Sequence, residues 1–174
     1  MNPIKVILVD DHDVVRTGLR SFLNTQEDVE VVAEARNGEE ALLRAEEFKP
    51  DLVIMDITMP GMDGMDATRR LKARSPECLV LALTVHEDKQ YFMEMLAAGA
   101  SGYITKQAAA DDLVAAIRAV ASGQVYLQPA LARWLLDDYQ RLAKQEQTQV
   151  KLTENGEAMV GLEILSKRER EVLE

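Results

Sequence analysis

The chain has 174 residues, 47% of them hydrophobic and 29% charged, enough for one domain with a sizeable core and a shorter appendage. Its formal net charge of -10 excludes the basic footprint that phosphate contacts require, so either DNA is not a partner or the DNA-reading part is missing. No apolar run is long enough to span a bilayer, no signal-peptide pattern opens the chain, and a single cysteine, Cys78, rules out an internal disulfide. The expectation is a cytoplasmic protein without membrane association.

In chain order, Ile4 to Val9 is a nearly continuous apolar run, read as a buried strand, and it ends in Asp10-Asp11. Asp13 to Asn24 carries Val15, Leu19 and Phe22 at helical spacing. Val29 to Ala35 is rich in β-branched residues and reads as strand. Asn37, with Glu40 three residues on, opens a helix that runs through Phe48 and stops at Pro50. Leu52 to Asp56 is a third strand, after which Pro60, Gly61 and Gly64 turn the backbone into a helix from Asp63 to Arg74. Leu79 to Leu83 is a fourth strand closed by Thr84, and Lys89 to Ala98 a helix ended by Gly99. A short strand, Gly102 to Thr105, precedes Lys106, and a helix from Asp111 to Ser122 ends at Gly123.

Strands alternating with helices predict a doubly wound, flavodoxin-like α/β fold: five parallel strands in the order 2-1-3-4-5 with helices on both faces. Beyond Gly123 the pattern changes. Pro129 to Gln147 reads as a polar-faced helix with Leu131, Leu135 and Leu142 in phase, Lys151 to Gly161 as linker, and Ser166 to Glu169 as a capping box opening another helix.

That strand order places the ends of the first and third strands side by side at the switch point, so Asp10, Asp11 and Asp56 should face one another. Three converging carboxylates repel unless a cation sits among them, and oxygen-only ligands suit Mg2+. Thr84 and Lys106, from the ends of the fourth and fifth strands, add a hydroxyl and a fixed positive charge. A metal, an ammonium and a hydroxyl around an anionic nucleophile suit phosphoryl transfer to Asp56, which needs no general base because an ionised carboxylate is already deprotonated. Cys78 reads as an inert thiol at a strand start, and His12 and His86 as surface residues near the mouth.

Taken together, Asp10-Asp11-His12, the run from Met55 to Gly64, Thr84 and Lys106 resemble the receiver domain of two-component response regulators, over residues 3 to 123. The stretch from Leu165 to Leu173 resembles the first helix of the LuxR-type helix-turn-helix domain, and the pair points to the NarL/FixJ group of transcription regulators. The resemblance divides the chain into a receiver domain at 1–123, a helical linker at 124–164 and the truncated start of a DNA-binding domain at 165–174.

The resemblance implies that Asp56 is the phosphoacceptor for a partner histidine kinase, with Thr84 and Lys106 holding the phosphoryl oxygens. It implies that Asp11 and Asp56 ligate Mg2+ directly, Asp10 through water, and Thr58 through its backbone carbonyl. Tyr103 stands at the aromatic switch position and would turn inward as Thr84 moves toward the phosphate. Phosphorylation would then drive dimerisation or release of the DNA-reading domain. DNA binding is expected only from the full-length protein, because the recognition helix is the second of its motif. One departure is Gln107, where many receivers carry a proline after the lysine, often joined by a cis bond.

Two other classes compete. A Mg2+-dependent phosphatase with an aspartyl nucleophile usually carries a second Asp two residues on, where this chain has Thr58. A flavin-binding module would need a Ser/Thr- or Gly-rich phosphate loop after the first strand, where this chain has carboxylates. The expectation is a switch, limited to its own phosphorylation and slow dephosphorylation, and not an enzyme with a diffusible product.

Overall fold

The computed structural model describes residues 2–108 and 110–148. Six strands and five helices alternate: β1 Ile4–Val9, α1 Asp13–Leu23, β2 Val29–Ala35, α2 Gly38–Phe48, β3 Leu52–Met55, α3 Gly64–Arg74, β4 Leu79–Thr84, α4 Lys89–Ala98, β5 Gly102–Thr105, α5 Ala110–Ala121 and β6 Tyr126–Leu127. A sixth helix, α6, covers residues 129–148. The strands form one parallel sheet in the order β2-β1-β3-β4-β5-β6.

The predicted five-strand order is therefore present, extended by one strand. β6 pairs Gly102 with Tyr126 and Tyr103 with Leu127. Two residues are too few to show a period of two, so this strand is invisible in the sequence and exists because the chain leaving α5 runs back along β5. The Tyr126 amide anchors it on the Ser101 carbonyl at 3.1 Å.

β1, β3 and β4 are apolar at nearly every position because both of their faces are covered. On one face Val6, Leu8, Leu52, Ile54, Leu81, Leu83 and Ile104 pack with Leu23 of α1 and with Leu113, Ile117 and Val120 of α5. Alternation along the strands turns Ile7, Val53, Met55, Ala82 and Tyr103 to the other face, all buried, where Phe92 of α4 meets the Tyr103 ring edge-on at 5.3 Å.

The helix starts are specified locally. Asn37 accepts the Glu40 amide, Asp63 the Asp66 amide and Asp88 the Gln90 amide, each filling an otherwise orphaned donor of the first turn. Two glycines shape the turn after β3. Gly61 holds φ +76°, and Gly64 packs so tightly that a Cβ there would collide with the Asp56 carbonyl oxygen. Gly64 N–H also donates to the Ile57 carbonyl at 2.7 Å, which locks α3 to the end of β3.

Chain contacts divide at Leu131/Ala132. The second unit is described to residue 148 and is helical to that point, with Leu135, Leu136, Tyr139 and Leu142 exposed. The predicted linker at Lys151 to Gly161 and the helix-turn-helix resemblance at Leu165 to Leu173 lie outside the described residues.

Candidate functional site

The carboxyl ends of β1 and β3 lie side by side at the switch point, and the backbone ladder fixes the residue that leaves each strand. The Asp10 amide donates to the Ala35 carbonyl at 3.1 Å and the Asp56 amide to the Val9 carbonyl at 2.9 Å. Asp10 is 3% exposed and Asp56 4%, while Asp11 stands half-buried at the rim. Ligand-type atoms of Asp10, Asp11, His12 and Asp56 all lie within 4.8 Å of one another.

Lys106 enters from the end of β5, where its amide donates to the Thr84 carbonyl at 2.8 Å. The peptide bond to Gln107 is trans, since the described residues contain no cis bond. Its ammonium sits 2.5 Å from Asp10 Oδ2 and 3.2 Å from Asp56 Oδ2, compensating two carboxylates at once. The Ile57 amide donates to Asp56 Oδ1 at 2.8 Å. Burial nonetheless pushes the Asp56 carboxyl above the usual range, with the Asp10 charge adding to the rise and Lys106 opposing it. Burial alone would pull the Lys106 ammonium down, but hydrogen bonds and charge from Asp10 and Asp56 more than offset it and hold Lys106 protonated.

Asp10 Oδ1 is also taken, accepting the His12 amide at 2.8 Å and pairing with His12 Nδ1 at 3.1 Å. His12 Nδ1 stands 3.2 Å from Asp11 Oδ1 as well, but its hydrogen bond goes to Asp10. Asp11 Oδ1 is thus a buried carboxylate oxygen with no hydrogen bond, the single such side-chain atom among the described residues. An orphaned anionic oxygen beside two further carboxylates, with no thiolate nearby, is the donor set of a hard cation such as Mg2+.

The remaining predicted residues lie along the β4 side. Thr84 is fully buried, and its hydroxyl oxygen accepts the His86 amide at 3.2 Å; among the described residues it makes no bond to Asp56. Thr58 is exposed, and its hydroxyl meets His86 Nε2 at 2.8 Å. Tyr103, at 0% exposure, donates its phenol to the His86 carbonyl at 2.8 Å, and burial pushes that phenol well above its ordinary pKa. His86 therefore ties Thr58, Thr84 and Tyr103 together, a role the sequence reading of it as a surface residue missed. His12 is the exposed residue at the mouth that was expected, yet it is part of the acidic cluster. Cys78 is buried, its thiol pushed up to about 11 by burial, which keeps it inert.

Arg16 carries no local signal of function, yet it is buried directly behind the site. Its guanidinium donates to the Asp10 carbonyl at 2.7 Å, to Asp13 at 2.6 Å and to Glu34 at 3.2 Å.

Residues 6–118 match the family described as "Response regulator receiver domain". The chain is 39% identical over 176 residues to the transcriptional regulatory protein DegU of Brevibacillus brevis, covering 99% of this chain and 74% of that one. It is 46% identical over 133 residues to the response regulator GacA of Pseudomonas protegens, covering 76% of this chain and 62% of GacA. Among solved structures, a LuxR-family two-component response regulator from Aurantimonas sp. SI85-9A1 superposes with a TM-score of 0.75 at 35% identity, over 79% of this chain and 99% of that one. The chain therefore belongs to the response regulators of two-component signalling, in their NarL/FixJ-type group of transcription regulators.

Proposed function

We propose that Asp56 is the phosphoacceptor of this receiver. The supporting observation is its carboxylate: buried at the switch point, oriented by the Ile57 amide and faced by the Lys106 ammonium. In the reaction, an Asp56 oxygen attacks the phosphorus of a phosphohistidine on a partner kinase. The P–N bond breaks, its electron pair stays on the imidazole nitrogen, and an acyl phosphate forms on Asp56. Lys106 moves its attraction from the carboxylate to the incoming phosphoryl oxygens, where charge accumulates in the transition state.

Mg2+ fits this site, and when bound it supplies positive charge shared between the carboxylates and the phosphoryl group. Asp11, with its orphaned oxygen, Asp56 and the Thr58 backbone carbonyl would hold it, with Asp10 acting through water, as the family resemblance implies. Uptake of phosphoryl from a small phosphodonor, read by intact mass, is expected with Mg2+ and not with excess EDTA. Equal uptake in both would remove the metal from the reaction.

The switch arises from the shared anchor. For Thr84 to donate its hydroxyl to a phosphoryl oxygen it must shift, and the His86 amide now bonded to it shifts too. Because the His86 carbonyl accepts the Tyr103 phenol, that bond is disturbed in the same step; the ring is fully buried already, so the expected inward turn has no exposed position to start from. Tyr103→Phe is expected to lower unfolding stability by about 1 kcal/mol, the usual net worth of one hydrogen bond, by urea titration. An unchanged midpoint would remove this link. The output is dimerisation and control of a DNA-binding domain, to be read as a change in sedimentation on phosphorylation.

Turnover as a phosphatase is disfavoured because Thr58, at the position of that chemistry's acid–base Asp, is a hydroxyl bonded to His86. Phosphorylation and slow dephosphorylation of Asp56 itself are the extent of the chemistry.

A further inference from the structure

We propose that Arg16 is a positioning residue for the divalent cation, orienting the Asp11 carboxylate by holding the peptide that joins Asp10 to Asp11. The inference rests on the acidic pocket being the cation site. The three bonds of the guanidinium have different meanings. Asp13 and Glu34, at 2.6 Å and 3.2 Å, balance its charge, and Glu34 is itself held by Arg20 at 2.6 Å. The third bond, to the Asp10 carbonyl at 2.7 Å, adds nothing to that balance, since it goes to a neutral backbone oxygen.

That oxygen belongs to the peptide linking Asp10 to Asp11. The Asp10 amide is fixed on Ala35 and the His12 amide on Asp10 Oδ1; of the Asp10–Asp11 peptide itself, the carbonyl end is held by Arg16. With Arg16 on that end, rotation of the Asp10–Asp11 peptide is blocked and the direction of the Asp11 side chain is set. Asp11 Oδ1 accepts no hydrogen bond, and His12 Nδ1, 3.2 Å from it, is bonded to Asp10 instead. His12, the N-cap of α1, makes no side-chain cap; its amide and ring bond Asp10 Oδ1, which fixes the Asp10 side chain and leaves the Asp10 carbonyl to Arg16. Groups behind metal-binding carboxylates commonly tune affinity in this way. Arg16 is suited to the task because its planar fork reaches three acceptors in fixed directions, which an ammonium cannot do.

The test is Mg2+ binding by the unphosphorylated full chain, measured calorimetrically at neutral pH, for wild type, Arg16→Lys, Arg16→Gln, Asp11→Asn and the distant core variant Val29→Ala. The expected result is a roughly tenfold weaker affinity for both Arg16 variants, no measurable binding for Asp11→Asn, and wild-type affinity for Val29→Ala. Arg16→Lys keeps the charge and most of the stem, so it carries the comparison should Arg16→Gln fail to fold. A second readout is the Asp11 backbone amide resonance without metal, expected to move in Arg16→Lys and to stay in Val29→Ala. Wild-type affinity in the Arg16 variants, with binding lost in Asp11→Asn, would overturn the positioning role alone. Weakening by Val29→Ala to the same degree would reduce the effect to general loosening and overturn it as well. Unchanged binding by Asp11→Asn would overturn the cation site itself.

Discussion

Asp56→Asn is expected to take up no phosphoryl group under conditions that label the wild type, and to unfold at a higher denaturant concentration. The first effect comes from replacing an anionic oxygen by an amide that cannot attack phosphorus. The second comes from burial. The Asp56 carboxyl is raised above its ordinary pKa mainly because the fold strips water from it, so the ionised form is less favourable folded than unfolded. Above the folded pKa the native state carries that penalty in full. As pH falls through the folded pKa the native carboxyl binds its proton before the unfolded one does, and the penalty is relieved. The advantage of Asp56→Asn is thus largest at neutral pH and shrinks toward acid. Urea midpoints at neutral and mildly acidic pH, with metal chelated, measure it. Phosphoryl uptake by the variant equal to wild type would remove Asp56 as acceptor; an advantage that grows toward acid would contradict the burial account.

Lys106→Met should have the opposite sign. Its ammonium lies within 2.5 Å of Asp10 and 3.2 Å of Asp56, and a thioether in its place leaves two buried carboxylates facing each other. Breaking a buried pair from one side typically costs about 3 kcal/mol or more. The loss is expected in EDTA at neutral pH. It is expected to diminish when Mg2+ is added, because a ligand that binds only the folded state stabilises it by mass action. It is also expected to diminish as pH falls, because the Asp56 carboxyl, now without its cation, takes up a proton still more readily. A midpoint equal to wild type in EDTA would show that Lys106 does not compensate the pair.

Where a segment's own pattern decided its structure, the sequence was sufficient. Val29–Ala35, Lys89–Ala98 and Gly102–Thr105 have the boundaries that their β-branched run, glycine stop and short apolar run imply. Asp10, Asp11, Asp56 and Lys106 were legible for the same reason: each comes after a strand, and parallel pairing brings strand ends to one mouth. What escaped depends on contacts between distant segments. β6 exists only by pairing with β5. Arg16 lies between Val15 and Thr17 on a helix with charged neighbours, and nothing in that stretch says that its guanidinium folds under the β1–α1 turn. His86 was readable as near the mouth, but its bonds to Thr58, past the end of β3, and to Tyr103, within β5, come from segments distant in the chain. The burial of Tyr103 could not be told from a rim position without the α4 ring of Phe92 lying against it.

The walls around Asp56 differ in how firmly they are built. Toward α3 the Gly64 backbone is pressed against the Asp56 carbonyl with no room to yield, whereas toward α4 the enclosure is closed by side-chain hydrogen bonds meeting at His86. An added charge on Asp56 consequently meets an anvil on one flank and a latch on the other. Phosphorylation of Asp56 is therefore expected to displace α4 and β5 and to leave α3 in place.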